Sequence, residues 1–509
     1  MADTPSVDAE QGAGAHAAQV AAGSGVVFVG NLFNRAVRLF TNWFLAGALG
    51  TAGYGLYELA RTVVTILASF APLGTDKGLV LFVARHRSAG EQEQLKGVLL
   101  AAFATGAVAG PLLAGITAVV VSMTSIVSDE SLRAALLWAT PAVAVWSVLQ
   151  VAVGALRGAK DMRGQSLAYL LILPGGMLAG SMLPVWLSFG LNEVLIGFVL
   201  ANVASLVVAL AMVWRHFGAL LTDRAVTARY ALGRLYAFSL PEGLSSMLFR
   251  VNQWTDTLMV GMLATADDVG LYRVAVSLAM IGELPSVAVN TMFQPVVAEL
   301  IYGQDEARLR EVVRIVTRWM VILAAPVYLG LFLGQDLVLA LYGEDYAQSA
   351  GALSILVWGQ AVYVLCVPVT ALIPMSGRAR LNLINATTAA LLNVGLNALM
   401  IPRLGFVGAA MATGVTLALW SLWRVAQVWW LMRCQAFSPR ALGLIALTAA
   451  LAFGGRAMTV DAGLLTQALA SVAAIGVFGL AAWSFGREPG DEVLLGRVKA
   501  RLGKRFGRG

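Results

Sequence analysis

Asn31-Leu-Phe-Asn-Arg35-Ala-Val-Arg38-Leu-Phe-Thr-Asn42 is the stretch that decides the fold. It lies inside an apolar segment from about residue 21 to 49, which is long enough to cross a bilayer as a helix. Its two arginines and the asparagines at its ends are four, three and four residues apart, so they share one helical face. An arginine at the centre of a membrane helix costs roughly 2.5 to 3.5 kcal/mol on insertion scales. Such residues usually face a bundle interior or a wet cavity, so the stretch predicts a polar cavity inside a membrane protein.

The composition supports a membrane protein. Of the 509 residues, 59% are hydrophobic and 12% are charged, whereas roughly 25% are charged in a soluble protein. The two cysteines and three histidines have no spacing typical of a disulfide framework or a metal site. The sequence contains no nucleotide-binding loop and no catalytic triad pattern. We therefore expect no cofactor, no nucleic-acid partner and no enzymatic activity.

Apolar runs of about 20 residues predict about fourteen transmembrane helices. A repeat is also present, because Gly-Leu-Tyr at 55–57 recurs at 270–272, 215 residues later. Arg157-Gly-Ala-Lys160 and Gly377-Arg-Ala-Arg380 match at nearly the same offset. The predicted fold is an all-α integral membrane protein with two pseudo-symmetric six-helix lobes followed by two additional helices. The alternative is that small residues needed for helix packing produce a chance similarity.

The predicted organisation has five parts. They are a disordered cytoplasmic tail (1–20), an N-terminal lobe (21–214), a C-terminal lobe (235–431), two further transmembrane helices (441–486) and a basic cytoplasmic tail (487–509).

The distribution of positive charge predicts the orientation. One set of connections, together with the C-terminal tail, holds 24 of the 35 lysines and arginines, whereas the other set holds only Arg133, Arg403 and Arg456. Cytoplasmic loops carry this excess, so both termini are predicted to be cytoplasmic in a multi-pass plasma (inner) membrane protein. The outer connections are all short. Membrane glycosyltransferases usually need a sizeable outer domain, so this class of enzyme is disfavoured.

Polar residues concentrate in the first two helices of each predicted lobe. Five arginines and two asparagines are candidate substrate-binding residues: Arg35, Arg38, Arg61, Arg250, Arg273, Asn31 and Asn42. A guanidinium forms planar, paired hydrogen bonds with phosphate or carboxylate oxygens, so these residues predict a site for an anionic headgroup. The alternative is that Arg61 pairs with Glu58 and Arg250 with a carboxylate of its own helix. The helix of Arg35 and Arg38 offers only asparagines as partners.

Acidic residues in the same helices are candidates for binding a coupling proton or sodium ion. They are Asp76, Glu242, Asp256, Glu283 and Glu58. Desolvation in the membrane favours the protonated carboxyl group and allows proton exchange near neutral pH. The alternative for Asp76 is a simple ion pair with Lys77.

Several motifs resemble those of one family. They are Gly53-Tyr-Gly-Leu-Tyr57, Leu240-Pro-Glu-Gly-Leu244, Asp256-Thr-Leu-Met-Val-Gly261, Val269-Gly-Leu-Tyr272, Met375-Ser-Gly-Arg378, Leu392-Asn-Val-Gly-Leu-Asn397, Ile401-Pro-Arg-Leu-Gly405 and Gly408-Ala-Ala410. In order and spacing the chain resembles the polysaccharide transporters, or Wzx-type oligosaccharide flippases, of the multidrug/oligosaccharidyl-lipid/polysaccharide (MOP) superfamily.

The resemblance implies a two-lobed bundle that moves a polyprenyl-diphosphate-linked oligosaccharide across a bacterial or archaeal plasma membrane by alternating access. It implies polysaccharide polymerases and glycosyltransferases as partners beside the membrane lipids. In the related lipid II flippases, basic residues of the first, second and eighth spans contact the diphosphate, which implies this role for Arg35, Arg38, Arg61 and Arg273. Two other functions are a cation-coupled multidrug exporter of the same superfamily and a non-transporting scaffold for polysaccharide synthesis.

Overall fold

The structure is a computed structural model that describes residues 7–124, 127, 129–459 and 462–485. All regular structure in these ranges is helical, which confirms the all-α prediction. The chain divides into two compact units, Met1–Gly261 (the first unit) and Met262–Gly509 (the second unit). The predicted basic tail, 487–509, lies outside the described residues, as do the first six residues of the predicted tail 1–20.

The described residues of the first unit form nine helices. They are α1 (Val7–Phe70), α2 (Thr75–Ser88), α3 (Gln92–Met123), α4 (Glu130–Ala139), α5 (Pro141–Gly158), α6 (Met162–Gln165), α7 (Leu173–Trp186), α8 (Leu191–Thr222) and α9 (Leu232–Leu263). A π-helical segment, Ser166–Ile172, joins α6 to α7. Helix α1 begins within the segment whose polar composition predicts a disordered tail.

Helix α1 contains a break that the hydrophobic pattern predicts. A straight helix of its 64 residues would be about 96 Å long, whereas the hydrocarbon core of a bilayer is about 30 Å thick. Gly50 interrupts it with φ 68° and ψ −177°, between the first two predicted spans. A second break follows at Leu73 and Gly74, which also have positive φ, and the flanking helices bend there by 45°. Glycine tolerates this backbone region without a steric penalty.

The part of the second unit that the structure describes also forms nine helices. They are α10 (Ala266–Ala279), α11 (Leu284–Tyr302), α12 (Glu306–Leu333), α13 (Gln335–Ala340), α14 (Ala350–Thr370), α15 (Leu372–Met375), α16 (Ala379–Met432), α17 (Pro439–Thr459) and α18 (Leu464–Phe485). Short 3-10 segments lie at Met280–Glu283 and Glu344–Ser349. Helix α16 is broken at Gly405, where φ is 56°, between two predicted spans.

In the part of the chain that the structure describes, nine helices are long and apolar enough to cross a membrane, or ten with the bent pair of α1 and α2. This confirms a multi-pass membrane protein, while the count of fourteen spans and the six-helix lobes stay predictions. Helix α9 and the pair α10–α11 are not among the nine. These are the helices to which the sequence assigns many of the polar residues, and polar residues lower the apolar character of a span.

Helices α2 and α5 cross closely because α5 presents glycine at two successive turns. A Cβ atom on Gly154 would lie 2.3 Å from the carbonyl oxygen of Asp76, and one on Gly158 would lie 2.6 Å from that of Leu79. Small residues spaced by one turn let two membrane helices approach to backbone contact. This crossing fixes the position of Asp76 in the first unit.

The connection between α8 and α9 is fastened to the first unit. The Lys96 ammonium donates to the carbonyl oxygens of Asp223 at 2.6 Å and Val226 at 3.1 Å. The Arg229 amide donates to the Glu93 carbonyl at 3.0 Å. Helix α9 itself packs in this unit, where the hydroxyls of Tyr236 and Thr105 lie 2.6 Å apart.

The last two helices are joined to the second unit through one carboxylate. Asp336 Oδ2 accepts hydrogen bonds from Arg456 Nη1 and Gln467 Nε2, both at 2.9 Å. Arg456 lies in α17 and Gln467 in α18, so a single residue of α13 holds both helices.

A carboxylate also links two connections of the first unit. Asp161 precedes α6, accepts from the Gly164 amide at 2.8 Å and lies 2.8 Å from His216 Nε2 on α8. Burial acts to raise the pKa of Asp161, but the Gly164 amide, His216 and Arg215 together outweigh it and lower that pKa.

The lowered pKa gives a pH prediction. Because the pKa of Asp161 is lower in the folded state, these contacts stabilise the protein above the unfolded value of about 3.9 and stop doing so as the pH falls through the folded value. The group is partly exposed, so we expect Asp161→Asn to lower the free energy of unfolding by only about 0.5 kcal/mol at pH 6. Thermal unfolding of both proteins should show this difference shrinking as the pH falls below about 4. A difference that grows with acid would contradict the assignment.

Candidate functional site

The residues on the polar face of α1 differ in their solvent exposure. Arg38 and Asn31 are exposed and Arg35 is half-buried, whereas Asn42 is only 7% exposed. The helix packs beside the π-helical segment, where a Cβ on Gly30 would lie 2.9 Å from Leu170 Cδ1. The two arginines predicted to contact an anion therefore lie on the accessible part of this face.

Arg61 is enclosed by an acid and two aromatic rings. Its Nη2 lies 2.7 Å from Glu58 Oε2, and the side chains are 8% and 0% exposed. Its guanidinium carbon lies 6.0 Å from the ring centroid of Tyr57 and 5.5 Å from that of Trp254 on α9. The alternative interpretation of Arg61, pairing with Glu58 one turn earlier, is thus present in the structure. The pair carries little net charge, and a contact of Arg61 with substrate stays a proposal.

The enclosure of Arg61 gives a stability prediction. Removing one partner of a buried ion pair leaves an uncompensated charge and costs about 3 to 5 kcal/mol. We expect Glu58→Leu to lower the free energy of unfolding by about this amount, and Glu58→Leu with Arg61→Leu to recover most of it. Chemical unfolding in detergent micelles measures both. Equal losses in the single and double variants would show that Glu58 stabilises the unit through other contacts.

Arg250 of α9 contacts an amide of another helix, not a carboxylate of its own helix. Its Nη2 donates to Gln150 Oε1 at 3.4 Å, and Gln150 Nε2 donates to the Ala68 carbonyl at 3.0 Å. The backbone contact orients the Gln150 amide so that its oxygen faces the guanidinium. This neutral acceptor does not cancel the positive charge of Arg250, and within the described ranges no ion pair of Arg250 is present, which suits an anion-binding residue.

Two candidate residues lie in the second unit. Arg273 of α10 is 7% exposed. Glu283 is half-buried in the 3-10 segment, where its Oε1 accepts from Gln360 Nε2 of α14 at 3.2 Å. The adjacent Gly282 leaves room for Tyr328, whose ring carbon Cζ would lie 2.1 Å from a Cβ at that position.

The remaining acidic candidates differ in their surroundings. Asp76 Oδ2 lies 3.0 Å from Lys77 Nζ, so the ion-pair alternative is present. Glu242 is exposed and Asp256 is half-buried on α9. Within the first unit the structure thus joins Glu58 to Arg61. A single cavity lined by spans one, two, seven and eight stays a prediction.

The second unit contains a small apolar cavity of about 90 Å³ between α12, α14 and α17. Its lining includes Tyr328, Phe332, Trp358 and Ala449. The Trp358 ring stacks on Phe453 of α17, with centroids 4.9 Å apart. Such a surface suits hydrocarbon chains.

Sequence reasoning missed three residues of these arrangements: Gln150, Trp254 and Gln360. Gln150 and Gln360 are lone amides in otherwise apolar spans, a signal that a search for charged residues passes over. Trp254 carried no signal, because a tryptophan in a span is ordinary core or interface material. Among the described residues no group of three or more His, Cys, Asp or Glu is arranged to hold a metal ion.

Comparison with known families decides the relationship. The profile of the polysaccharide biosynthesis protein family matches residues 20–301, more than half of the chain. The chain belongs to the polysaccharide biosynthesis protein family. The MatE profile also matches, over residues 241–399. Both matches confirm the resemblance to the MOP superfamily that the motifs indicate.

Individual relatives of this family member are distant. The probable low-salt glycan biosynthesis flippase Agl15 of Haloferax volcanii is 22% identical over 400 residues, which are 77% of this chain and 80% of Agl15. The probable flippase AglR of the same organism is 29% identical over 204 residues, 38% of this chain and 41% of AglR, so the chain spans about two-fifths of that relative. The inward closed structure of the lipid II flippase MurJ aligns with TM-score 0.69 and 14% identity over 91% of this chain and all of MurJ. At that identity the alignment shows the shared fold alone.

Proposed function

We propose that this protein is a flippase that moves a lipid-linked oligosaccharide from the inner to the outer leaflet of the plasma membrane. The observation that carries the proposal is the polar face of α1, where Arg35 and Arg38 lie accessible within an apolar helix. Its support is the family match together with two relatives described as probable flippases. A diphosphate between lipid and sugar carries the negative charge and the oxygens that guanidiniums bind.

The candidate residues take different roles in this proposal. Arg35 and Arg38 bind the diphosphate directly, and Asn31 and Asn42 line the same helical face. Arg250 adds a charge that a neutral amide holds in position. Arg61 is paired and preserves the local arrangement of α1 and α9. Arg273 is the candidate contact from the second unit.

The apolar cavity of the second unit supports a lipid-linked substrate. The apolar lining would keep a prenyl chain out of water, where exposed chain surface costs about 25 cal/mol per Å². We propose that the cavity takes up part of this chain. Alternating access of the two units would then move headgroup and chain together.

A proton or a sodium ion drives the transport in this proposal. Of the five acidic candidates, Glu58 and Asp76 are engaged in ion pairs and Glu242 is exposed. Glu283 accepts a hydrogen bond from the neutral amide of Gln360, and we propose it as the carboxylate that binds the coupling ion. Glycosyltransferases that build the substrate and a polymerase that consumes it are the expected partners, and both termini are expected to be cytoplasmic.

Reconstitution tests the function directly. Purified protein in proteoliposomes should move a fluorescent polyprenyl-diphosphate disaccharide between leaflets, measured as the fraction quenched by membrane-impermeant dithionite. Protein-free vesicles and vesicles carrying heat-inactivated protein are the controls. Transfer at the control rate under both pH and sodium gradients would refute the proposal.

The MatE match over residues 241–399 favours a second candidate, a cation-coupled multidrug exporter. This function predicts efflux of a cationic dye such as ethidium from the same proteoliposomes and no transfer of the lipid. Five arginines among the candidate residues suit cationic drugs poorly, because like charges repel. A non-transporting scaffold predicts neither activity.

A further inference from the structure

Arg424 is a buried cation that the proposed transport does not use. It lies in the second half of α16 and is 7% exposed. Eight residues separate it from Met432 at the end of the helix, a distance of about 12 Å along the axis. A charge at this depth in a membrane protein is costly unless it is paired or functional.

The contacts of Arg424 are all with neutral groups. Its Nη2 donates to the Thr370 carbonyl at 2.8 Å and to Asn382 Oδ1 at 3.3 Å. Its guanidinium carbon lies 4.8 Å from the ring centroid of Trp420. Its Nε is buried and has no hydrogen-bond partner. Within the described ranges no carboxylate forms an ion pair with it, so the structure supplies no counter-charge.

The side chain reaches toward the nearest end of the helix bundle. Asn385 and Gln427 of α16 form a reciprocal amide pair, with bonds of 2.6 and 2.9 Å, between the two halves of the helix. Arg424 lies about one turn before Gln427 and so farther from the end of α16. Its contact, Asn382, lies about one turn closer to the start of α16 than Asn385, the partner of Gln427. A long cationic side chain that extends in this way toward the membrane surface is snorkelling.

That end of the second unit is basic. The ends of α11, α14 and α16 meet the start of α12 there in one hydrophobic cluster, which includes Val313, Val369, Val428 and Cys434. Six arginines lie close in sequence to the cluster residues, at or near the same helix ends: Arg310, Arg314, Arg378, Arg380, Arg433 and Arg440. Anions are therefore concentrated at the basic end of the second unit, toward which the Arg424 side chain extends.

We propose that Arg424, together with Asn382 and the ring of Trp420, forms a binding site for a phosphate-type oxyanion in the second unit. Among the described residues the Arg424 guanidinium pairs with no carboxylate, and its planar N–H donors match two oxygens of such a group. The anion comes either from free phosphate or from the phosphate of an anionic lipid headgroup. The site is distinct from the arginines of α1 and does not depend on the identity of the transported substrate.

The experiment measures thermal stabilisation of the full chain by a stated anion. In detergent at constant ionic strength, chloride is replaced stepwise by inorganic phosphate. In a second arm the protein is placed in nanodiscs of phosphatidylcholine or of phosphatidylcholine with phosphatidylglycerol. The variants are Arg424→Gln and, as the matched control, Arg403→Gln, an exposed arginine at the break of α16.

We expect the thermal-unfolding midpoint to rise in at least one arm, and we expect Arg403→Gln to keep this rise and Arg424→Gln to lose it. A rise with phosphate in detergent identifies a free anion, and a rise only with phosphatidylglycerol identifies a lipid headgroup. An equal rise in Arg424→Gln, or no rise for the wild type in either arm, overturns the site and leaves Arg424 as a cap on the Thr370 carbonyl. If Arg424→Gln does not fold, Asn382→Ala replaces it and should weaken anion affinity about tenfold, since a lost hydrogen bond to a charged group costs about 1.5 kcal/mol or more. Unchanged affinity in Asn382→Ala also overturns the proposal.

Discussion

Arg35→Ala and Arg38→Ala should each reduce transfer of a lipid-diphosphate sugar about tenfold to a hundredfold while the protein still inserts into the membrane. A charge-assisted hydrogen bond contributes about 1.5 to 3 kcal/mol, and each 1.4 kcal/mol corresponds to a factor of ten. The double variant should lose transport altogether. In cells that depend on this gene, the same variants should abolish surface glycan, measured by lectin labelling of intact cells.

Lysine variants and a distant arginine refine this test. Arg35→Lys and Arg38→Lys keep the charge but lose the planar pair of donors, so partial recovery is expected. Arg133→Ala is the matched control, because this arginine lies near the start of α4 and donates to the Val127 carbonyl at 3.0 Å. Wild-type transport in both alanine variants would remove α1 from the site and leave Arg250 and Arg273 as the anion contacts.

Gly74→Ala is expected to destabilise the first unit by about 4 kcal/mol, near the upper end for a single substitution. Gly74 has φ 74°, a region that costs other residues about 1 to 2 kcal/mol. A Cβ atom there would also lie 1.9 Å from the Ser239 carbonyl oxygen and 2.7 Å from the Gly243 Cα of α9. Because the nearest atoms belong to the backbone, the helices would have to separate. Chemical unfolding and proteolysis of the loop after α8 should both report the loss.

Gly90→Ala separates the backbone strain of a positive φ from the steric clash with α9. Gly90 has φ 71° but nothing within 4 Å of a Cβ, so its substitution carries only the backbone strain, about 1 to 2 kcal/mol. The difference in the free energy of unfolding between the two variants measures how much the contact between Gly74 and α9 contributes. Equal effects would show that the 45° bend, and not this contact, requires glycine.

Much of the fold follows from sequence pattern. Long apolar runs predict membrane helices, and the breaks at Gly50 and Gly405 fall between predicted spans because only glycine adopts their backbone angles readily. No apolar run or glycine break in the sequence predicts the division of the chain at Gly261. The charged connection at about 215–234 is the stronger boundary in sequence, but α9 beyond it makes its contacts with the first unit.

The site was predictable only in part. Local pairs such as Arg61 with Glu58 follow from helical geometry, since residues three apart are neighbours on a helix. The contact of Arg250 with Gln150 joins residues 100 positions apart. Periodicity tells which face of a helix is polar but not which other helix it meets, so this partner required the structure.

The fastening of α9 to the first unit bears on how the protein can be cut and labelled. A cut within residues 223–231 would place α9 on a different fragment from Thr105, Gly74 and Gln150, which it contacts in the intact chain. A nick at residues 264–265 would leave those contacts within one fragment. Co-expressed fragments 1–263 and 264–509 are therefore the natural pair for a split protein, in which isotopes or fluorophores can be placed in one fragment alone.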